Sequence, residues 1–135
     1  MISAVDTNIL LDILLPNAGF VAQSTQALED AASGALVICD PVYAELCVQF
    51  DQQKELDEFL EDNEIRVESL SRAASFLASR AWRTYRKRGG QRSRILPDFL
   101  IGAHAQLQAS RLVTRDRGFY RSTFPSLLLL DPMEL

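Results

Sequence analysis

A short apolar stretch that runs into an acid and then straight into helical periodicity constrains this chain more than any other feature. Ile2, Ala4 and Val5 read as a strand entering a core at once, and Asp6 sets a carboxylate where that strand ends. Ile9, Leu10, Ile13 and Leu14 follow at helical spacing. A parallel α/β sheet gathers its functional groups at the carboxyl ends of its strands, in the crevice between strand and helix. Asp6 is therefore a site candidate. The competing reading is that Asp6 or Thr7 only caps the next helix, since both residue types are favoured N-caps. The rest of the chain has to decide between them.

The same strand-to-helix alternation recurs downstream. Pro16-Asn17-Ala18-Gly19 is a turn, and Val21 to Ala32 is a helix closed by Ser33-Gly34. Ala35 to Cys39 is a second buried strand. Asp40-Pro41 then reads as an N-cap followed by Pro at the first helical position, and Tyr43, Leu46, Cys47 and Phe50 form the apolar face of that helix. Asp51 to Glu64 is an amphipathic helix buried through Leu56, Phe59 and Leu60, and Ile65 to Val67 is a third strand. Ser71 caps a long helix whose stripe holds Ala74, Leu77, Ala78, Ala81, Trp82 and Tyr85, so the two aromatic residues belong to the core. A further helix spans Phe99 to Ala109, with Pro97 setting its first turn. Arg111 to Thr114 and Leu127 to Leu130 are the last strands, and Phe119 and Tyr120 anchor a helical turn between them. Strands alternating with helices predict an α/β fold with a five-stranded, mainly parallel sheet covered on both faces.

A chain of 135 residues suits one domain with a core that needs no metal or disulfide staple. No basic leader precedes the first apolar run, Asp6 interrupts that run, and the longest apolar stretches fall short of a membrane span. Cys39 and Cys47 form no CxxC pair, which suits buried free thiols in a reducing cytoplasm.

The net charge of −4 hides a polarised distribution. Residues 1–68 hold fourteen acids and two bases, whereas residues 69–130 hold twelve bases and two acids, Asp98 and Asp116. Such asymmetry points to a face for a polyanion, because a partner responds to the local field more than to the sum. Arg80, Arg83 and Lys87 lie on one helix face, Arg86 and Arg88 extend the run, and Arg92 and Arg94 continue it through the loop Gly89 to Arg94. A solvated helix face is the alternative reading of that run.

Asp6, Glu45, Asp98 and Asp116 each occupy an element end or a first turn, and in a parallel sheet such points can converge on one edge. Carboxylates held together raise one another's pKa unless a cation offsets the charge. Oxygen-only clusters select hard divalent ions such as Mg²⁺, which would activate water and neutralise charge on a phosphodiester. The basic segment would hold the backbone of the strand being cut. Of the other acids, Asp40 is explained as a cap, and Asp12 falls on the polar side of the first helix. His104 lies six residues beyond Asp98, roughly 240° around a helix of 3.6 residues per turn, and so faces elsewhere.

These residues carry a resemblance. Asp6-Thr7-Asn8, Glu45, Pro97-Asp98 with Leu100-Ile101-Gly102-Ala103, and Thr114-Arg115-Asp116 with Phe119 resemble the motifs of PIN-domain nucleases. In length and spacing the chain is similar to the VapC toxins of toxin–antitoxin pairs, from Ile2 to about Leu130. The resemblance implies a PIN-like three-layer sandwich and an endoribonuclease dependent on Mg²⁺ or Mn²⁺. It implies Asp6 and Asp98 as principal metal ligands, Glu45 and Asp116 as the other acids, and Asn8 and Thr114 as supporting groups. Arg80, Arg83, Lys87, Arg92, Arg94 and Arg115 are then the candidate RNA contacts. A homodimer and a small neutralising antitoxin are the implied protein partners.

Two other functions stay open on the sequence. A haloacid-dehalogenase-like phosphatase would use Asp6 as nucleophile, but it normally has an acid where Asn8 stands, and Lys54 is badly placed as its lysine. A binding module would keep the fold and hold RNA without cutting it.

Overall fold

The computed structural model describes residues 1–16, 19–92 and 94–134. The turn at Asn17-Ala18 and position Ser93 of the basic loop lie outside the described residues. The elements in chain order are β1 (Ile2–Val5), α1 (Thr7–Leu14), α2 (Val21–Ala31), β2 (Ala35–Cys39), α3 (Asp40–Cys47), α4 (Gln53–Asp62) and β3 (Ile65–Glu68). Then come α5 (Arg72–Lys87), α6 (Leu96–Gln108), β4 (Arg111–Val113), α7 (Arg117–Thr123), β5 (Leu129–Leu130) and a 3₁₀ turn at Pro132–Glu134.

The five strands form one sheet in the order β3-β2-β1-β4-β5, and every pairing is parallel. The first three strands build outward from β1 on one side. After α5 and α6 the chain returns to lay β4 and β5 on the other side. The strand order therefore reverses between β1 and β4, where ligand crevices form in open α/β sheets. Ser3, Ala4 and Val5 are all buried although successive side chains point to opposite faces, so both faces are covered there. Helix α6 packs on β1 and β4 and against α5, while α2 packs on α1 and β4.

Several boundaries shift from the sequence reading for local reasons. Cys39 is the extended flanking residue of α3, and Asp40 is already helical, so Asp40 complements the helix dipole without capping it. Helix α6 starts at Leu96, with Pro97 inside its first turn. Strand β4 stops at Val113, and β5 is only Leu129–Leu130. Cys39 is buried as expected, but Cys47 is exposed because Leu46 takes the inward position on α3. Ser71 caps α5 as its position predicts, its hydroxyl accepting the Ala74 N–H at 3.0 Å.

Under the carboxyl edge of the sheet lies an aromatic cluster. Phe99 is fully buried and meets Tyr85 and Phe119 edge-on at 5.4 and 5.3 Å, with Trp82 at 6.3 Å. Phe119 in turn meets Tyr120 at 5.0 Å. These contacts tie α5, α6 and α7 together and confirm Trp82 and Tyr85 as packing residues. Phe124 closes the cluster against Gly102, where a side chain would have to occupy the Phe124 ring. Phe124 is itself buried and cannot yield. Gly102→Val is therefore expected to cost about 1–3 kcal/mol by overpacking, read as a lower urea midpoint with an unchanged slope.

Candidate active site

Asp6 leaves β1 at the crevice, and its backbone N–H donates to the Val113 carbonyl at 2.9 Å, extending the β1–β4 pairing to the strand end. Its carboxylate does two things. Oδ1 accepts the Thr7 N–H at 2.8 Å and caps α1. Oδ2 accepts from the Thr114 hydroxyl at 2.8 Å and from Asn8 Nδ2 at 3.2 Å. The cap and the site are thus the same residue. Thr7, the alternative cap, instead donates its hydroxyl to Glu45 Oε1 at 2.8 Å, which ties α3 to the end of β1.

Thr114 is fully buried and organises the other side. While it donates to Asp6, its oxygen accepts the Asp116 N–H at 2.9 Å, so one hydroxyl sets two of the predicted acids. Asn8 Oδ1 accepts the Arg115 N–H at 3.2 Å and adds a second cross-link between α1 and the segment after β4. Asp98 sits in the first turn of α6, and its Oδ2 accepts the Ile95 N–H at 3.3 Å.

The electrostatics describe buried and partly buried negative charge. Burial pushes the Asp6 carboxyl up to about 6, with Glu45 adding to the rise and hydrogen bonds from Thr114, Thr7 and the Tyr120 phenol opposing it. Burial also raises Asp98, opposed by the Ile95 N–H and the Arg94 charge and assisted by Asp116. The Tyr120 hydroxyl is held far above its ordinary range, first by burial and then by Asp6, Asp98 and Asp116. Three acids from three separate segments therefore act on one phenol.

That donor chemistry fits a hard divalent cation: carboxylates and hydroxyls, all oxygen, with excess negative charge. Among the described residues no three Asp, Glu, His or Cys side chains yet stand close enough to share one ion. Asp116 has its own counter-ion, since Arg94 Nη1 and Nη2 reach its two oxygens at 2.5 and 3.2 Å.

The remaining candidates separate into two groups. Arg80, Arg83, Lys87 and Arg92 are exposed, and Arg83, Arg86 and Lys87 line a shallow depression on α5 with Trp82. Arg115 is committed to the protein: its guanidinium grips Asp12 at 2.6 and 2.9 Å and stacks over Phe20 at 4.0 Å. Asp12 is buried, in contrast to the solvated position expected of the polar side of α1, and it also accepts the Ser24 hydroxyl at 2.6 Å. The polar side of α1 faces α2 and the β4–α7 segment, which no periodicity could show. His104 is buried away from the acids, with Nε2 3.0 Å from Glu68 Oε1. Tyr120 was legible only as a packing residue, although its place four residues after Asp116 in α7 was a usable signal.

The PIN domain model matches residues 4–125. The chain belongs to the PIN domain family. A search of curated proteins finds no match. Among solved structures the chain is similar to VapBC2 from Rickettsia felis bound to a DNA fragment from their promoter, with 24% identity, TM-score 0.74 and coverage of 97% of this chain and 98% of that one. It is similar to FitAcB from Neisseria gonorrhoeae, with 19% identity, TM-score 0.72 and full coverage of both chains. A toxin-antitoxin complex from Klebsiella pneumoniae matches at 24% identity and TM-score 0.69, over 96% of this chain and 97% of that one. At these identities the likeness carries the fold.

Proposed function

We propose that the protein is a VapC-type toxin acting as a divalent-metal-dependent endoribonuclease, its 135 residues forming one nuclease domain. The observation that carries this reading is the meeting of Asp6 with Thr114 and Asp116 at adjacent strand ends, with Asp98 acting on the same buried phenol. Asp6, Asp98, Asp116 and Glu45 would hold Mg²⁺ or Mn²⁺. When bound, the ion supplies a lowered pKa for an attacking water and an offset for the charge on the scissile phosphodiester. The chain's own part is positioning. Thr114 and Asn8 aim Asp6 Oδ2, Thr7 fixes Glu45, and the buried Tyr120 phenol donates to Asp6.

RNA, held along the exposed bases of α5 and the following loop, is the substrate this reading assigns. Arg83→Ala with Lys87→Ala is expected to weaken RNA binding and to flatten its salt dependence, by about 0.7 in slope for each single-strand phosphate that is no longer neutralised. An unchanged slope in a filter-binding titration would return those side chains to the role of solvated surface.

The antitoxin partner is supported by the fold shared with VapBC2 and with a toxin-antitoxin complex, and a homodimer accompanies that reading. No helix of the described residues is long and apolar enough to cross a membrane; a cytoplasmic location accompanies the toxin reading. Cleavage of total RNA in Mn²⁺ that persists undiminished in excess EDTA would overturn the metal-dependent assignment. Bound RNA and bound Mn²⁺ with no new 5′ ends would favour the non-cleaving module. The phosphatase reading is set aside by family membership, and Lys54 stands exposed on α4, paired with Glu58.

A further inference from the structure

We propose that Arg94 is an internal counter-ion of the acidic centre, holding Asp116 until a divalent cation displaces it. The inference rests on the metal-dependent reading above. Arg94 takes one lone-pair direction on each oxygen of Asp116, so an ion ligated there would share the carboxylate with a guanidinium and meet its positive charge. The fork geometry is one that only arginine offers a carboxylate.

Two features make the arrangement a latch more than a permanent brace. First, the pair is partly open to water, with Arg94 27% and Asp116 33% exposed, so solvent can replace either partner when the pair opens. Compare Asp12 with Arg115, where the carboxylate is only 6% exposed. Second, the guanidinium has a further partner: it lies 4.2 Å over the Phe119 ring, a cation–π contact that does not involve Asp116. Releasing Asp116 therefore leaves Arg94 seated beside the site. Its charge also bears on Asp98, so the same cation opposes an incoming ion at two of the predicted ligands. An ion at Asp116 binds most tightly when Arg94 has drawn back, and its apparent affinity is lowered by the scarcity of that state.

The test is Mn²⁺ titration of the whole chain by calorimetry, with Arg94→Gln and Arg94→Lys beside the wild type. Arg94→Gln is expected to bind Mn²⁺ about three- to tenfold more tightly than wild type, the range for a partly exposed charge pair discounted for screening by solvent. Arg94→Lys, charged but without the two-point grip, is expected to fall between them and serves if Arg94→Gln does not fold. In the wild type, the Arg94 Nε–H resonance is expected to shift as Mg²⁺ saturates the protein. Equal or weaker Mn²⁺ affinity in a folded variant overturns the proposal while leaving the metal-dependent reading standing. So does a stationary Arg94 resonance at Mg²⁺ saturation. Failure of wild type and variants alike to bind Mn²⁺ overturns both.

Discussion

Asp6→Asn is expected to abolish RNA cleavage and, at the same time, to stabilise the folded protein at neutral pH. Loss of an outer partner of a metal ligand already costs about 10–100-fold in activity or affinity, and loss of the ligand itself should exceed that. Stability moves the other way. The Asp6 carboxyl is raised from an ordinary 3.8 to about 6, principally by burial. The folded protein thus holds a proton there more strongly than the unfolded chain does. Favourable below pH 3.8, that difference is lost as pH rises to 6, and above 6 it is a constant cost, on the order of 3 kcal/mol at most. Asn removes the charge and keeps the cap, since it caps helices as well as Asp does; its NH2 meets the Thr114 and Asn8 donors that now serve Oδ2, which lowers the net gain below the full charge penalty. The stability gap between variant and wild type should therefore open between pH 4 and 6 and stay level to pH 8. The raised Asp98 carboxyl is common to both proteins and cancels in the comparison. Urea denaturation across that range, beside a cleavage assay at pH 7, checks both halves. A variant that cuts RNA at wild-type rate removes Asp6 from the chemistry. One that is less stable than wild type at pH 7 removes the charge penalty.

The second large effect is expected far from any ligand role. Arg115→Ala should cost about 3 kcal/mol, the lower end of the range for breaking a buried pair because the guanidinium is a quarter exposed. It strands the buried Asp12 with only the Ser24 hydroxyl as donor and removes the stack on Phe20. Asp12→Ala should cost less, because Arg115 can turn to water. The two changes together should cost less than their sum, with a coupling of about 1–2 kcal/mol. Additive costs in that cycle would show that the pair contributes nothing jointly. Arg115 adjoins Asp116, and its N–H is held by Asn8. The clamp therefore also steadies the segment that presents Thr114 and Asp116, and the same variant should lose cleavage activity disproportionately to its folded fraction.

This clamp marks the boundary of what periodicity can reveal. The strands and helices were legible because burial writes period-2 and period-3.6 patterns directly into the chain: β1, β2 and α5 stand where Ile2 to Val5, Ala35 to Cys39 and the stripe from Ala74 to Tyr85 put them. The acids Asp6, Glu45, Asp98 and Asp116 were legible as element-end residues and as a family-like set. Arg115 and Arg94 were legible only as bases, because the partner that occupies a guanidinium is a matter of three-dimensional neighbours. Asp12 departs from its expected solvated position for the same reason: a helix has more than one buried side once two other segments pack on it.

By itself, then, the order of residues determined the alternation of strand and helix, the parallel sheet, the acidic and basic halves and the candidate acids, all consequences of local pattern and composition. Tertiary structure alone decided that β4 lies beside β1 and not at the edge beyond β3. That choice turns on how α5 and α6 carry the chain back across the sheet. It sets Thr114 against Asp6 across 108 positions of sequence. Hydrogen bonds and charge act over a few ångströms of space, whatever the separation along the chain. The opening acid consequently serves as helix cap and site residue together, one oxygen for each task.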